Sequence, residues 1–369
     1  MNLRPHMLAL FALFLVPAFA FADDQPAPDA PRFSDSVSVS IASVLTRILD
    51  PNGAPIADLK PGDVKVEVGG KSVPIVAVDY YDNSVAPGDL PDDRVKLKPG
   101  QNGPGAPLQV SGRGQLFVIF VETDFQGRSL PKDRAELLKK MVDSLKPTDL
   151  AAVVSLDDSF KLQSDFTLDR GVLFDAIVRG RKEADPPAPS AAPGPLSLAR
   201  GWNAAAAKKA AHTEAALSVL AAALDPLPGE KVVLFIGHAK GHFQLPLPAG
   251  KYMTSDFGAA VQALRSARAG VFVLDEPWAV IGGRPRPVQS LYAALRETLA
   301  QVTGGTYLQL QPDGQAIDRM MRVTRGYHLV TLDLHQITPQ LQAQPLKVSL
   351  AGRPGATLTE PILVVRLKS

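Results

Sequence analysis

Leu116-Phe-Val-Ile-Phe-Val-Glu-Thr-Asp-Phe-Gln-Gly-Arg-Ser129 decides how the rest of the chain reads. Leu116 to Val121 run without a polar break, the pattern of a strand buried on both faces of a parallel sheet. The run stops at Glu122, Thr123, Asp124 and Gln126, with Gly127 and a helical pattern beyond. Ligands of open α/β sheets sit in the crevice past the carboxyl ends of the strands. Side-chain oxygens there are the first functional candidate. A second reading stays open, in which Asp124, Gln126 and Ser129 are turn and N-cap residues, as their types favour.

Outward from this strand, residues 114–325 alternate strands with helices. Leu130–Leu145 carries a helical stripe (Leu137, Leu138, Met141, Val142, Leu145). Leu150–Leu156 is a second buried strand, and Leu162–Phe166 a short third, joined through Asp157-Asp158-Ser159 as a hairpin. Helix Arg170–Arg179 and a Pro/Ala loop follow, then an Ala-rich segment, 199–224, helical by propensity. Lys231–Ile236, Gly270–Leu274 and Gly305–Leu310 are three further strands, with helices at Ala259–Arg268, Val288–Val302 and Gln315–Val323. This spacing predicts a doubly wound, mostly parallel six-stranded sheet with its strand ends on one rim.

Both flanks have β grammar. Residues 35–82 alternate polar and apolar residues between turn signals such as Asp50-Pro-Asn-Gly53, and residues 83–113 read as a Pro/Gly-rich linker. Tyr327–Leu334, Leu346–Leu350 and Leu363–Leu367 give strands in 326–369. Two arrangements are open: a small β-sandwich built from both ends of the chain, which is the expectation, or an independent C-terminal β unit.

Composition narrows the function. The chain has 369 residues, 46% apolar, with a formal charge of +2 and no cysteine. Nothing in that balance favours nucleic acid or an anionic membrane as partner. Residues 1–22 read as a secretory signal: Arg4, the apolar run Met7–Ala20, then Ala20-Phe21-Ala22 before a cut after Ala22. An uncleaved anchor is the alternative. Residues 23–34 are a Pro/Ala tether. The expected product is secreted or periplasmic, has no membrane span once the signal is cut, and is held without disulfides.

The order of elements in 114–325 resembles a von Willebrand factor type A domain, and several stretches resemble the exported bacterial proteins that carry one. Ile48-Leu-Asp-Pro-Asn-Gly-Ala-Pro-Ile-Ala-Asp-Leu-Lys-Pro-Gly-Asp-Val-Lys-Val66 is similar to their upstream β module. Asp165-Phe-Thr-Leu-Asp-Arg170 is similar to their loop into the second helix, and Leu299-Ala-Gln-Val-Thr-Gly-Gly-Thr-Tyr307 to the approach to their last strand. The resemblance implies a Rossmann-like fold whose rim holds a divalent cation for partner binding. It implies three ligand loops: Asp-x-Ser-x-Ser, a Thr and an Asp. Carried over, these give Glu122, Asp124 and Gln126 in the first loop and Thr167 in the second. Gly237 or His238 stands where the Asp is implied, with Lys240 nearby. The expected site is degenerate, holding Mg²⁺ or Ca²⁺ weakly or not at all.

Other chemistry is thin. His238 and His242 lie in a loop with no third zinc ligand in view. Ser155 and Ser159 lack a nucleophile-elbow context, and no Gly-rich phosphate loop appears. Gly282-Gly-Arg-Pro-Arg286 reads as a solvated basic turn. No nucleophile, base and orienting group come together, so no enzyme is expected. The expectation is a protein-binding or adhesion module whose partner contacts come from Asp124, Ser129, Thr167, His238 and Trp278. The alternative is a structural or envelope-assembly scaffold without metal, acting through its β-sandwich.

Overall fold

The computed structural model describes residues 41–82, 114–122, 132–181, 196–237, 255–275, 278–281, 284–287, 293–311, 313–333, 346–359 and 362–365. The signal, the tether and the 83–113 linker lie outside them. All the described residues belong to one compact unit.

Leu116–Glu122 is a strand with all seven residues buried. It is β6, after five strands upstream: Ile41–Thr46 (β1), Ile48–Leu49 (β2), Val64–Val68 (β3), Lys71–Val73 (β4) and Ile75–Asp82 (β5). Downstream come Leu150–Leu156 (β7), Phe160–Thr167 (β8), Lys231–Ile236 (β9), Ala269–Asp275 (β10), a short hairpin Trp278–Ile281 (β11) and Arg284–Pro287 (β12), and Tyr307–Gln309 (β13). The large sheet has the order β13-β10-β9-β6-β7-β8. Counted along the chain this is 3-2-1-4-5-6, the doubly wound order whose switch point lies between β6 and β9. Every pairing in it is parallel except β7 with β8.

Helices cover both faces because both faces of β6 are apolar. Phe117, Ile119 and Val121 share a core with Leu138 and Met141 of Lys132–Asp143 (α1), Leu173 and Ile177 of Arg170–Arg181 (α2), and Ile317 and Met320 of Gln315–Val323 (α7). Leu116, Val118 and Phe120 face Leu217 and Leu220 of Thr213–Leu224 (α4), Phe257 and Leu264 of Ser255–Ser266 (α5), and Leu299 of Ala293–Val302 (α6).

The Ala-rich segment 199–224, expected to be helical, forms a 3-10 turn Ala199–Gly201, a short helix Ala204–Lys209 (α3) and α4. Asn203 breaks it by capping α3, accepting from the Ala206 amide at 3.0 Å. Ala210 and His212 then adopt extended backbone before α4. Propensity favours helix across the segment, and capping plus tertiary packing divide it. Of the basic turn expected at 282–286, Arg284–Arg286 lie in β12, which pairs with β11 so that Trp278 is opposite Pro287 and Ile281 opposite Arg284, while Gly282 and Gly283 lie outside the described residues. The last strand of the large sheet is shorter than expected, Tyr307–Gln309.

The two ends of the chain meet. Gly326–Asp333 (β14) pairs antiparallel with β1 and β5, and Ile362–Val365 (β17) pairs with β1. Leu346–Leu350 (β15) pairs with β3, and Thr357–Leu358 (β16) with β2. Val44 and Val330 of the first group share one apolar cluster with Val66, Val73 and Ile48 of the others. His328 is buried and adds a polar tie: Nδ1 accepts from the Ile48 amide at 3.3 Å while Nε2 donates to the Ile56 carbonyl at 2.7 Å. Burial pushes its pKa below the usual imidazole range, which keeps it neutral in that arrangement.

Candidate functional site

The carboxyl rim is built from strand ends. Glu122 closes β6 and is buried. Its Oε1 accepts a hydrogen bond from Thr213 Oγ1, the first residue of α4, at 2.6 Å. Its main-chain oxygen accepts from Arg181, the last residue of α2, at 3.4 Å. Gly237, just past β9, lies against Glu122: a Cβ there would be 2.6 Å from Oε2 and 2.7 Å from the Glu122 Cβ. Real Cβ atoms do not approach so closely, so a glycine at 237 lets the glutamate sit at the switch point.

Asp275 closes β10 one strand further out. Its Oδ1 pairs with Arg296 Nη2 at 2.7 Å, and its Oδ2 accepts from the Tyr307 hydroxyl. Arg296, on α6 and only 1% exposed, also donates to the Gly237 carbonyl at 3.3 Å. The Tyr307 pKa is raised, first by burial and then by the Asp275 carboxylate that accepts its proton. Past β7, Asp157 pairs with Lys161 at 2.7 Å. Arg296 thus bridges the ends of β9 and β10.

The structure separates two of the expected ligands. Thr167 ends β8, which runs antiparallel and places Thr167 opposite Ala151, whereas Glu122 is opposite Leu156. Those positions on β7 are five residue steps apart, about 17 Å at roughly 3.3 Å per step. Thr167 therefore belongs to the other rim. Its Oγ1 accepts from the Asp169 amide at 3.1 Å, and Asp169 caps α2 by accepting from Gly171 at 2.8 Å and Val172 at 3.1 Å. The threonine that does reach Glu122 is Thr213. Asp124, Gln126, Ser129 and His238 lie outside the described residues, as does the side chain of Trp278, whose backbone opens β11.

Thr213, Arg181, Asp275, Arg296 and Tyr307 were missed by sequence reasoning. Asp275 was readable as an acid ending a buried strand, like Glu122. Arg296 had a signal too. It sits three and four residues before Leu299 and Ala300, on the apolar stripe of α6, where a charged residue needs a buried partner.

These residues do not fit a divalent cation. Such an ion takes six or more oxygens, with at least one or two free carboxylates among the protein's share and waters filling the rest. Here both oxygens of Asp275 are engaged by Arg296 and Tyr307, and Glu122 is bonded to Thr213. A guanidinium lies against Gly237, where the resemblance implies a carboxylate. Among the described residues no group of three or more His, Asp or Glu could hold a metal.

No family model and no curated protein matches the chain. The solved structures that it matches include von Willebrand factor type A domains. One, from Catenulispora acidiphila, is 12% identical with a TM-score of 0.36, over 89% of this chain and 75% of that one. The vWF domain of the type V pili tip protein Mfa5 from Porphyromonas gingivalis is 12% identical with a TM-score of 0.32, over 56% of this chain and 94% of its own. An aerotolerance-related membrane protein from Bacteroides fragilis is 16% identical with a TM-score of 0.35, over 56% and 98%. Function has to come from the chain's own residues. No described helix is long and apolar enough to cross a membrane.

Proposed function

We propose that the mature chain is an exported, non-enzymatic protein-binding module that captures its partner at the carboxyl rim of the large sheet, where the metal site that the resemblance implies is degenerate and holds no ion. The supporting observation is the position of the rim. The switch point between β6 and β9 is where doubly wound sheets bind ligands, and here polar strand ends converge on Gly237. Three sequence candidates adjoin those ends: Asp124 two residues after Glu122, His238 next to Gly237, and Trp278 three residues after Asp275. Ser129 completes the proposed contact set. Trp278 also opens the β11–β12 hairpin, a two-stranded ribbon separate from the large sheet. A secretory signal cut after Ala22 would deliver the chain to the periplasm or the medium.

Capture from envelope extract by the mature chain tests this. Trp278→Ala should weaken capture by roughly thirtyfold, the loss of an aromatic anchor worth about 2 kcal/mol, and Asp124→Ala should weaken it in the same direction. Thr167→Ala, on the opposite rim, should leave it unchanged. Equal capture by all three variants would remove the rim from consideration.

The paired chain ends favour a second reading, a scaffold acting through a β-sandwich made from 35–82 and 326–369. Substituting Val76, a 58%-exposed valine on β5, by Glu should then abolish capture while the rim variants do not.

A further inference from the structure

We propose that the carboxyl rim is cation-independent by construction, with the guanidinium groups of Arg296 and Arg181 supplying the positive charge that the family resemblance assigns to a divalent ion. The proposal rests on the rim as the binding surface and names how that surface is held and what does not regulate it.

Buried carboxylates need an opposite charge or several donors. Each described buried acid at a strand end of this rim has a partner in the protein, an opposite charge for Asp275 and Asp157 and a hydroxyl donor for Glu122. Asp275 has Arg296 and Tyr307, Glu122 has Thr213, and Asp157 has Lys161. Arg181 bonds the Glu122 carbonyl and is 5% exposed, so a second guanidinium lies within the same buried cluster. Arg296 occupies the central position. It reaches Asp275 on one side and the Gly237 carbonyl on the other, and Gly237 rests on Glu122. A guanidinium donates in a fixed planar fork and stays charged at any working pH. It therefore joins β9, β10 and α6 permanently, whereas a bound ion would join them only when present. A divalent cation placed between Glu122 and Asp275 would meet this like charge and would have to displace Arg296 from both of its partners. Divalent ions then have no purchase on the folded rim, and partner capture is not gated by them.

The test is calorimetric titration and thermal denaturation of the mature chain with Mg²⁺, Ca²⁺ or Mn²⁺ alone, and with EDTA. The wild type should give no binding heat and an unchanged Tm in all four; binding of any of these ions at micromolar affinity overturns the proposal. Arg296→Gln removes the charge and leaves an amide oxygen beside Asp275 and the Gly237 carbonyl. Its Tm should fall by on the order of 10 °C. Mn²⁺ or Ca²⁺ at about a hundred times its dissociation constant should restore roughly 5–10 °C. A folded Arg296→Gln that ignores all three ions also overturns it. Arg296→Lys keeps the charge and should fold without responding to any ion, and an ion response in that variant counts against the proposal. Partner capture in EDTA separates this inference from the functional reading. Capture that requires ions defeats cation independence alone, whereas failure to capture under any condition defeats the binding module and leaves the titration result standing.

Discussion

Gly237 carries the sharpest single-residue constraint on the rim. Its missing Cβ is the space that Glu122 occupies, so Gly237→Ala forces the glutamate side chain or the β9 terminus to move. The expected cost is about 1–3 kcal/mol, in the range of overpacked sites. Glu122→Gly removes the whole obstacle, its Cβ included, so the double variant should be more stable than the sum of the two losses predicts. A double-mutant cycle from urea midpoints measures that coupling, and simple additivity would mean that the two residues do not compete for space. Thr213→Val tests the other contact. It takes a donor from a buried carboxylate and should cost about 1.5–3 kcal/mol. Thr213 also shows why the site was only half legible. A motif-based reading sought the threonine straight after the third strand and found Thr167. The antiparallel direction of β8 carries Thr167 to the far rim, and α2 must run back before α4 can start beside Glu122. A motif records spacing along the chain, and one reversed strand is enough to send a residue to the wrong end of a sheet.

At the level of elements, the strands were the readable part because burial on two faces leaves an unbroken apolar run. Lys231–Ile236 and Gln315–Val323 have the bounds that their patterns predict. The approach to β13 was recognisable for a physical reason. Thr303 Oγ1 donates to the Leu299 carbonyl at 2.7 Å and accepts from the Val271 amide at 3.0 Å. Gly305 runs so close to the Val271 carbonyl that no side chain fits. In the Ala-rich segment the helical character was legible but its division was not, because alanine favours helix everywhere and says nothing about where one helix stops.

Lys231, first in β9, supplies a prediction at this scale. It is 2% exposed and its Nζ donates to the Ala267 carbonyl at 2.8 Å. Burial, then Arg268, lower its pKa to about 8, against the opposing pull of Asp225 and Glu230. A lysine depressed on folding stays protonated in the unfolded chain while the folded chain releases its proton. Stability therefore rises with pH from about 8 toward the unfolded value near 10.5, by on the order of 3 kcal/mol over the whole interval. Above pH 10 the raised pKa values of Tyr80 and Tyr327 pull the other way, so the clean window is pH 8 to 10. Urea midpoints of the wild type should climb across it, and those of Lys231→Met should stay flat and start higher at pH 7. A wild-type midpoint that falls between pH 8 and 10 would show that the buried amine does not control this range.

For the whole molecule, the central question is whether strands from both ends of the chain and the large sheet unfold together. Ile48 and Leu49 are neighbours in β2, yet Ile48 packs into the cluster of the chain-end strands and Leu49 into the helix-covered core beside α7. Arg47, just before them, is 1% exposed and makes the polar connection. It pairs with Glu230, donates to the Gly304 carbonyl at 3.1 Å, and lies 4.8 Å from the Phe272 ring centroid. No local pattern identified this residue, because its partners are 183 to 257 positions away in sequence. Such a pair adds little net stability over an apolar substitute but is costly to break from one side, about 3–5 kcal/mol. The wild type should accordingly melt in a single calorimetric transition. Arg47→Met leaves Glu230 buried without its cation and removes the link, so the endotherm should split, with the chain-end strands melting first. Arg47→Met combined with Glu230→Met removes both charges and should recover most of the lost stability and a single peak. If Arg47→Met still melts in one transition at an unchanged temperature, the apolar contact through Leu49 holds the two parts together and the ion pair is dispensable.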